Sequence, residues 1–284
     1  MSEWVGCRPS PALRRHVAFY AGYRQSCGSP GQHRGLPSPY LTLIVTLDEP
    51  LLLADHRDGA PVRRYDALVG GLHTTPAHVV HPGRQAGIQL GLTPLGARAL
   101  LGVPAGELAG LDAHVSDVLG SSVVTVREQV LAANSWEQRF AVLDGWLCRR
   151  LDQDAVLAPE VARAWWLLTA APSTLTVAEI ADAVGWSARH LRARMRAETG
   201  LTPKTAARVA RFDRTRRVLQ RRVTAGGPAS FAELAADCGY ADQAHLARQF
   251  RDFAGCPPSV WVAEELRNVQ DTGSATPAGS RHER

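Results

Sequence analysis

Apolar and polar positions alternate with period two in the first third of the chain, and recur near 3.6 residues after it. LTLIVTL (41–47) and LLLAD (51–55) flank Asp48-Glu49-Pro50 and predict a β-hairpin. YDALVGGL (65–72) and AGIQLGLTP (86–94) predict further strands; in the latter, Ile88, Leu90 and Leu92 share one face. Residues 1–39, interrupted by Pro9, Pro11, Pro30, Pro37 and Pro39, predict an irregular lead. Pro94 opens a short helix over LGARALLG, stopped by Gly102. A second helix is expected over about 123–133. A third starts at Ser135, with Gln138 completing a capping box and Trp136, Phe140, Leu143, Leu147 and Leu151 at helical spacing. Strands followed by helices predict an α+β N-terminal domain over residues 1–151. DQDAVLAP then predicts a linker at 152–158, and Pro159 suits the first helical position of PEVARAWWLLTA.

Beyond residue 159 the pattern is helical and repeats itself. TVAEIADAVGW (176–186) aligns with SFAELAADCGY (230–240), pairing Thr176 with Ser230, Glu179 with Glu233, Ile180 with Leu234, Gly185 with Gly239 and Trp186 with Tyr240. T-x-x-E and S-x-x-E are capping boxes, so each copy starts a helix. Each helix meets a glycine suited to a sharp turn, then a new N-cap, Ser187 or Asp242. The second helices carry apolar anchors four apart, Leu191/Met195 and Leu246/Phe250, and stop at Gly200 and Gly255. Two such copies predict two helix-turn-helix units, in which the second helix enters the DNA major groove with its N-terminal residues leading. Between them Thr202-Pro203 opens about 20 residues without a breaker, a helix about 30 Å long. That approaches one turn of B-DNA, about 34 Å. The C-terminal unit is thus an all-α domain over 159–268, followed by a polar tail, 269–284, expected to be disordered.

Charge sharpens this picture. Residues 1–155 carry 14 Arg against 14 Asp and Glu, whereas residues 156–284 carry 18 Lys and Arg against 13 acids, so the net +5 resides in the second half. Between 187 and 222 the count is 12 basic to 2 acidic. Clustered arginine points to a polyanion, because its planar fork pairs with phosphate and with guanine edges. With Leu191 and Met195 inward, Arg189 and Arg192 fall where base edges would lie, and Ser187, His190 and Arg196 near phosphates. In the second copy Gln243, Ala244 and Arg248 are expected at bases and Arg251 at phosphate. Residues 231–268 carry three arginines against six acids. The first unit and the long helix are therefore expected to supply most of the salt-dependent affinity.

Residues 160–266 resemble the DNA-binding domain of AraC/XylS-type transcription regulators. Ser187, Leu191, Gly200, Pro203, Arg211 and Leu219 carry the match in one half. Ala235, Gly239, Tyr240, Asp242, Gln243, Leu246, Arg248, Phe250, Gly255, Pro258 and Trp261 carry it in the other. Met195 departs from the family's usual phenylalanine, and Ala206-Ala207 from its common aromatic. The resemblance implies a sequence-specific DNA-binding transcription regulator, activator or repressor, with double-stranded DNA and RNA polymerase as partners. It also implies an N-terminal domain that senses a small-molecule effector or dimerises. That first half looks like an uncharacterised sensor domain of actinobacterial members of the family. The competing reading is a small-molecule-binding protein or enzyme in the first half, with incidental DNA binding.

Other chemistry is sparse. No apolar run reaches membrane-spanning length, and the first residues lack the apolar core of a signal peptide. Cys7, Cys27, Cys148, Cys238 and Cys256 are scattered, which predicts a reduced, cytoplasmic chain without a zinc cluster; a Cys7–Cys27 redox pair has no support in the sequence. The GxSxG, phosphate-loop and His-Glu protease patterns do not occur, so no enzyme activity and no cofactor are expected. His73, His78 and His81 lack the spacing of a metal site, and no metal is expected. His33, Arg34 and His73 are the candidate effector-binding residues, set against a plain surface loop for HRGLPSP. The stripe from Trp136 to Leu151 is expected in the domain's own core, and a homodimer is expected because paired sites gain affinity.

Overall fold

The computed structural model describes residues 3–26, 29–54, 61–169, 175–226 and 230–270, with side chains described as far as residue 264. Among the described residues ten strands form two antiparallel sheets. The first runs β1 (Glu3–Cys7), β2 (Val17–Ser26), β9 (Arg84–Leu92), β4 (Leu41–Thr46), β7 (Ala67–Gly70), β10 (Asp112–His114) in spatial order. The second runs β3 (Gly31–Gly35), β8 (Ala77–His81), β5 (Leu51–Ala54), β6 (Arg63–Tyr65). The sheets meet face to face: Ile44 and Leu68 of the first share an apolar cluster with Leu51, Leu53, Tyr65 and Val79.

Two expectations are corrected. LTLIVTL and LLLAD do not form a hairpin. Both edges of β4 are occupied, by β9 and β7, and β5 pairs with β8 and β6 in the other sheet. Asp48-Glu49-Pro50 is therefore the corner between sheets. Nor is the lead irregular: β1, β2 and β3 lie within it. Its prolines fall between strands, where the missing N–H costs no ladder bond.

Period two explains how the first sheet serves two faces. Leu41, Leu43 and Val45 of β4, with Ile88, Leu90 and Leu92 of β9, are wholly buried in the main core. That core includes the apolar sides of α3 (Ser122–Ala132) and α4 (Trp136–Arg150), close to their predicted bounds. Leu143 and Leu147 are fully buried there, so the α4 stripe belongs to its own domain. Asp144 on α4 accepts from the Tyr20 hydroxyl at 3.1 Å and from the Ser10 backbone N–H at 3.0 Å, tying the helix to the sheet. Ser135 caps α4 through the Gln138 N–H, but Gln138 reaches back to Asn134 N–H rather than to the cap itself. A short helix, α1 (Pro94–Gly96), continues as a π turn (Ala97–Leu101) to Gly102. A 3₁₀ turn (Ala105–Leu108) and α2 (Val115–Leu119) complete this half.

The rest of the described chain is helical: α5 (Pro159–Thr169), α6 (Val177–Ala183), α7 (Ala188–Thr199), α8 (Pro203–Thr224), α9 (Phe231–Asp237), α10 (Gln243–Ala254) and α11 (Pro258–Gln270). Of the expected tail, residues 269 and 270 belong to α11, and 271–284 lie outside the described residues, as does Cys27. The segment 152–158 is largely exposed but pinned at two points, with Leu157 buried and the Asp152 N–H bonded to the Ala99 carbonyl. Ile180, Leu191, Met195 and Ala206 join the main core, whereas Phe212, Leu219, Leu246, Phe250 and Trp261 form a second core. No described helix is long and apolar enough to cross a membrane.

Leu143 is filled on all sides. Leu143→Ala is expected to lower unfolding free energy by about 2–5 kcal/mol, whereas Val124→Ala on the exposed side of α3 stays within about 0.5 kcal/mol. Urea titration of the two variants checks this.

Candidate nucleic-acid interface and adjoining cavity

Each helix-turn-helix unit is built by the same local rules. In the first, Thr176 accepts from Glu179 N–H and Glu179 accepts from Thr176 N–H, a complete capping box. In the second, Ser230 accepts from Glu233 N–H at 3.4 Å without the reciprocal bond. Gly185 and Gly239 make the turns with φ of 73° and 72°, where a side chain would be strained. Ser187 then caps α7 by accepting from His190 N–H, and Asp242 caps α10 by accepting from His245 N–H. Each cap thus places one side-chain oxygen on its own helix. Leu191, Met195, Leu246 and Phe250 are all fully buried.

The opposite sides are open. Arg189, His190, Arg192, Arg194 and Arg196 on α7 are exposed, as are Gln243, Ala244, Arg248 and Arg251 on α10. His190 packs edge-on against Trp186, centroids 4.6 Å apart, and His245 does the same with Tyr240 at 5.2 Å. Sequence repetition thus extends to an aromatic–histidine contact at each turn.

The basic block divides in a way that counting residues did not show. Among the described residues no hydrogen bond or ion pair engages the guanidinium groups of Arg189, Arg192, Arg194 or Arg196. On α8 most of the arginines are occupied. Arg208 pairs with Asp252 and Arg222 with Asp237. Arg216 and Arg217 both hold the buried Asp213. Arg211 donates to the Gly239 carbonyl and to Gln249 Oε1, and lies over the Tyr240 ring at 4.6 Å. Two acids of the second unit therefore each engage one arginine of the long helix, and α8 offers less free charge than its sequence suggests.

A cavity of about 340 Å³ lies between the two sheets. Aliphatic side chains of the second sheet (Leu51, Leu53, Val79) form one wall, and Gln25, Gln85 and Gln89 a polar row on the other. Gln85 and Gln89 alternate with Ile88 and Leu90 along β9, so the strand's period sets a polar face toward the cavity and an apolar face toward the helices. His33 and His73, two of the candidate effector residues, line it together with His81. His33 lies on β3, not in a surface loop. His73 Nε2 is 3.2 Å from Asp112 Oδ1. Arg216 and Gln220 of α8 and Trp261 of α11 also line the cavity, so the helical half contributes to its wall.

Arg34 is the third candidate, and the structure gives it other partners. It lines the cavity, yet its Nε and Nη2 donate to the Glu264 carboxylate at 2.9 and 3.2 Å, and Nη1 donates to the Ala254 carbonyl at 3.2 Å. Sequence reasoning had no signal for a contact 230 residues away. It likewise missed Arg98, whose Nε and Nη2 grip Glu198 at 2.8 and 3.0 Å. Among the described residues no three His, Cys, Asp or Glu side chains cluster as a metal-ligand set.

The profile of a helix-turn-helix domain matches residues 180–264, and the profile of a domain of unknown function matches residues 6–115. A search of curated protein sequences returns no match. Among solved structures, ToxT from Vibrio cholerae O395 is similar in fold, with TM-score 0.50 and 10% identity over 86% of this chain and 96% of that one. ToxT from Vibrio cholerae strain SCE256 with bound unsaturated fatty acid has TM-score 0.50 and 8% identity, covering 90% of this chain and 96% of that one.

Burial, with the neighbouring His81 ring, pushes the His33 imidazole down from its ordinary 6.5 to about 4. Between those values the unfolded chain takes up a proton that the folded chain refuses, so stability falls as pH is lowered through that window. His33→Gln is expected to flatten part of this slope, measured by urea midpoints at pH 7, 5.5 and 4.5.

Proposed function

We propose that the chain, with a helix-turn-helix domain behind an N-terminal two-sheet domain, is an AraC-type DNA-binding transcription regulator, and that its residues divide the work as follows. Residues 159–268 form the DNA-binding domain and read two adjacent major-groove segments, α7 on one and α10 on the other. Arg189 and Arg192 meet guanine edges, Gln243 an adenine, Ala244 a thymine methyl and Arg248 a guanine. Arg196 and Arg251 hold phosphates, with His190 beside them. Ser187 has its hydroxyl oxygen committed to the cap, so its contact to phosphate would be made as a donor. The observation that carries this reading is the pair of capped helices with buried anchors and open leading faces, one of them with four unengaged guanidinium groups.

The cavity is where a small-molecule effector acts. Its size falls within the range of ligand sites, and its mixture of aliphatic wall and amide row suits a molecule with an apolar body and a polar end. The fatty acid in the ToxT complex is a ligand of that general kind. An occupant would touch Arg216, Gln220, Trp261 and Arg34 as well as the sheets, and so would act on both halves. Binding rather than catalysis is its proposed role. The regulator works in the cytoplasm, with RNA polymerase as its downstream partner and a homodimer as its assembly.

Selection of bound duplexes from a random pool tests the assignment. Arg192→Ala is expected to relax base preference within one segment, costing about 1–3 kcal/mol on the preferred sequence. Arg251→Ala should weaken all sequences nearly alike and reduce the salt slope by about one. The roles are wrong if Arg251→Ala changes sequence preference more than Arg192→Ala does. Because α8's arginines are internally paired, Arg217→Ala should change the salt slope less than Arg196→Ala does, as read by fluorescence anisotropy across a salt series.

A further inference from the structure

Both recognition helices end in a left-handed glycine, Gly200 and Gly255, and both of those glycines face the sheet domain. At the first, the contact is backbone on backbone. A Cβ on Gly106 would lie 2.4 Å from the Ala197 carbonyl oxygen, and one on Gly200 would lie 2.1 Å from Ala109 Cβ. Arg98 closes this contact by its bidentate grip on the buried Glu198, at the C-terminal end of α7. At the second, Arg34 from β3 caps the C-terminal end of α10 through the Ala254 carbonyl and holds Glu264 of α11 with its remaining donors. Leu36, just beyond β3, packs against the second core. Two arginines of one domain thus hold the rear of two reading heads, while the leading faces of both stay exposed.

The two anchors differ in strength. The first is continuous with the main apolar core and includes a carboxylate side chain only 9% exposed. The second core is separate, and its ion pair is 20% and 28% exposed. Without the second anchor the second unit is joined to the rest mainly through α8, a single helix of 22 residues.

We propose that Arg34 is a positioning residue for DNA recognition: through Glu264 and Ala254 it braces the second reading unit against the sheet domain and so fixes its angle and spacing relative to the first. The first unit is held by Arg98 and the shared core and does not depend on Arg34. A rigid pair of heads binds two segments tightly at one spacing and poorly at others, whereas a loosened pair tolerates change. The inference rests on the two-segment reading above.

The test uses the full chain and a duplex that the wild-type chain selects from a random pool, with a version carrying one extra base pair between the two segments. The wild-type chain should lose about tenfold or more in affinity on insertion, and Arg34→Ala less than about threefold. This penalty is a ratio within each variant, so a loss of folded protein cancels from it. The charge exchange Arg34→Glu with Glu264→Arg should restore a penalty near the wild-type one, and Arg98→Ala should not reproduce the effect of Arg34→Ala. Hydrogen exchange in Arg34→Ala should rise over residues 243–264 and stay unchanged over 188–199. An insertion penalty unaltered by Arg34→Ala, or one not restored by the exchange, overturns the brace. Selection of a single segment by the wild-type chain would instead overturn the two-segment reading on which it rests.

Discussion

Leu191 and Met195 lie in the same apolar cluster as Leu43, Ile88 and Trp146, and that shared core constrains everything around it. A recognition helix must bury one side to stay folded and leave the other open to reach a groove. Here the buried side of α7 is supported from the sheet domain as well as from its own unit. The backbone contact at Gly106 and Gly200 forces close approach, and the Arg98–Glu198 pair then has to form, because an unpaired buried carboxylate is costly. The first reading head is therefore an extension of the sheet domain.

The second head is held differently, and the difference follows from charge. Its acids are turned toward α8, where Asp237 and Asp252 meet Arg222 and Arg208. Glu264 turns toward β3 and Arg34. Three of the six acids counted in this unit, Asp237, Asp252 and Glu264, are thus its attachments. The same pairings engage arginines of α8, while the guanidinium groups of α7 stay unengaged. Exposed ion pairs are individually weak, so this unit depends on several together.

The cavity joins the two arrangements. β4 and β9 present apolar residues to the helices and polar or mixed residues to the space between the sheets, an outcome of strand geometry alone. What closes the space is the helical half, through Arg216, Gln220 and Trp261. A site whose wall is shared by both halves can couple them without any long pathway, because whatever fills it touches both.

The repeat of 176–186 in 230–240, its caps and glycines, and the anchors Leu191/Met195 and Leu246/Phe250 were all legible in the sequence, as were the class of each half and the stripe on α4. These are local: a cap bonds within three residues, a turn glycine answers its own φ, and an amphipathic period is written along one element. The sequence by itself therefore determined the helices, their buried sides and the residues left facing outward. It did not determine that β4 and β5 part into different sheets, since strand pairing depends on which neighbours fill each edge. Nor did it show that Arg34 holds Glu264, that Arg98 holds Glu198, or that most α8 arginines are spent internally. Those pairings join residues up to 230 positions apart, and only the packing of the two halves decides which charges meet and which remain free.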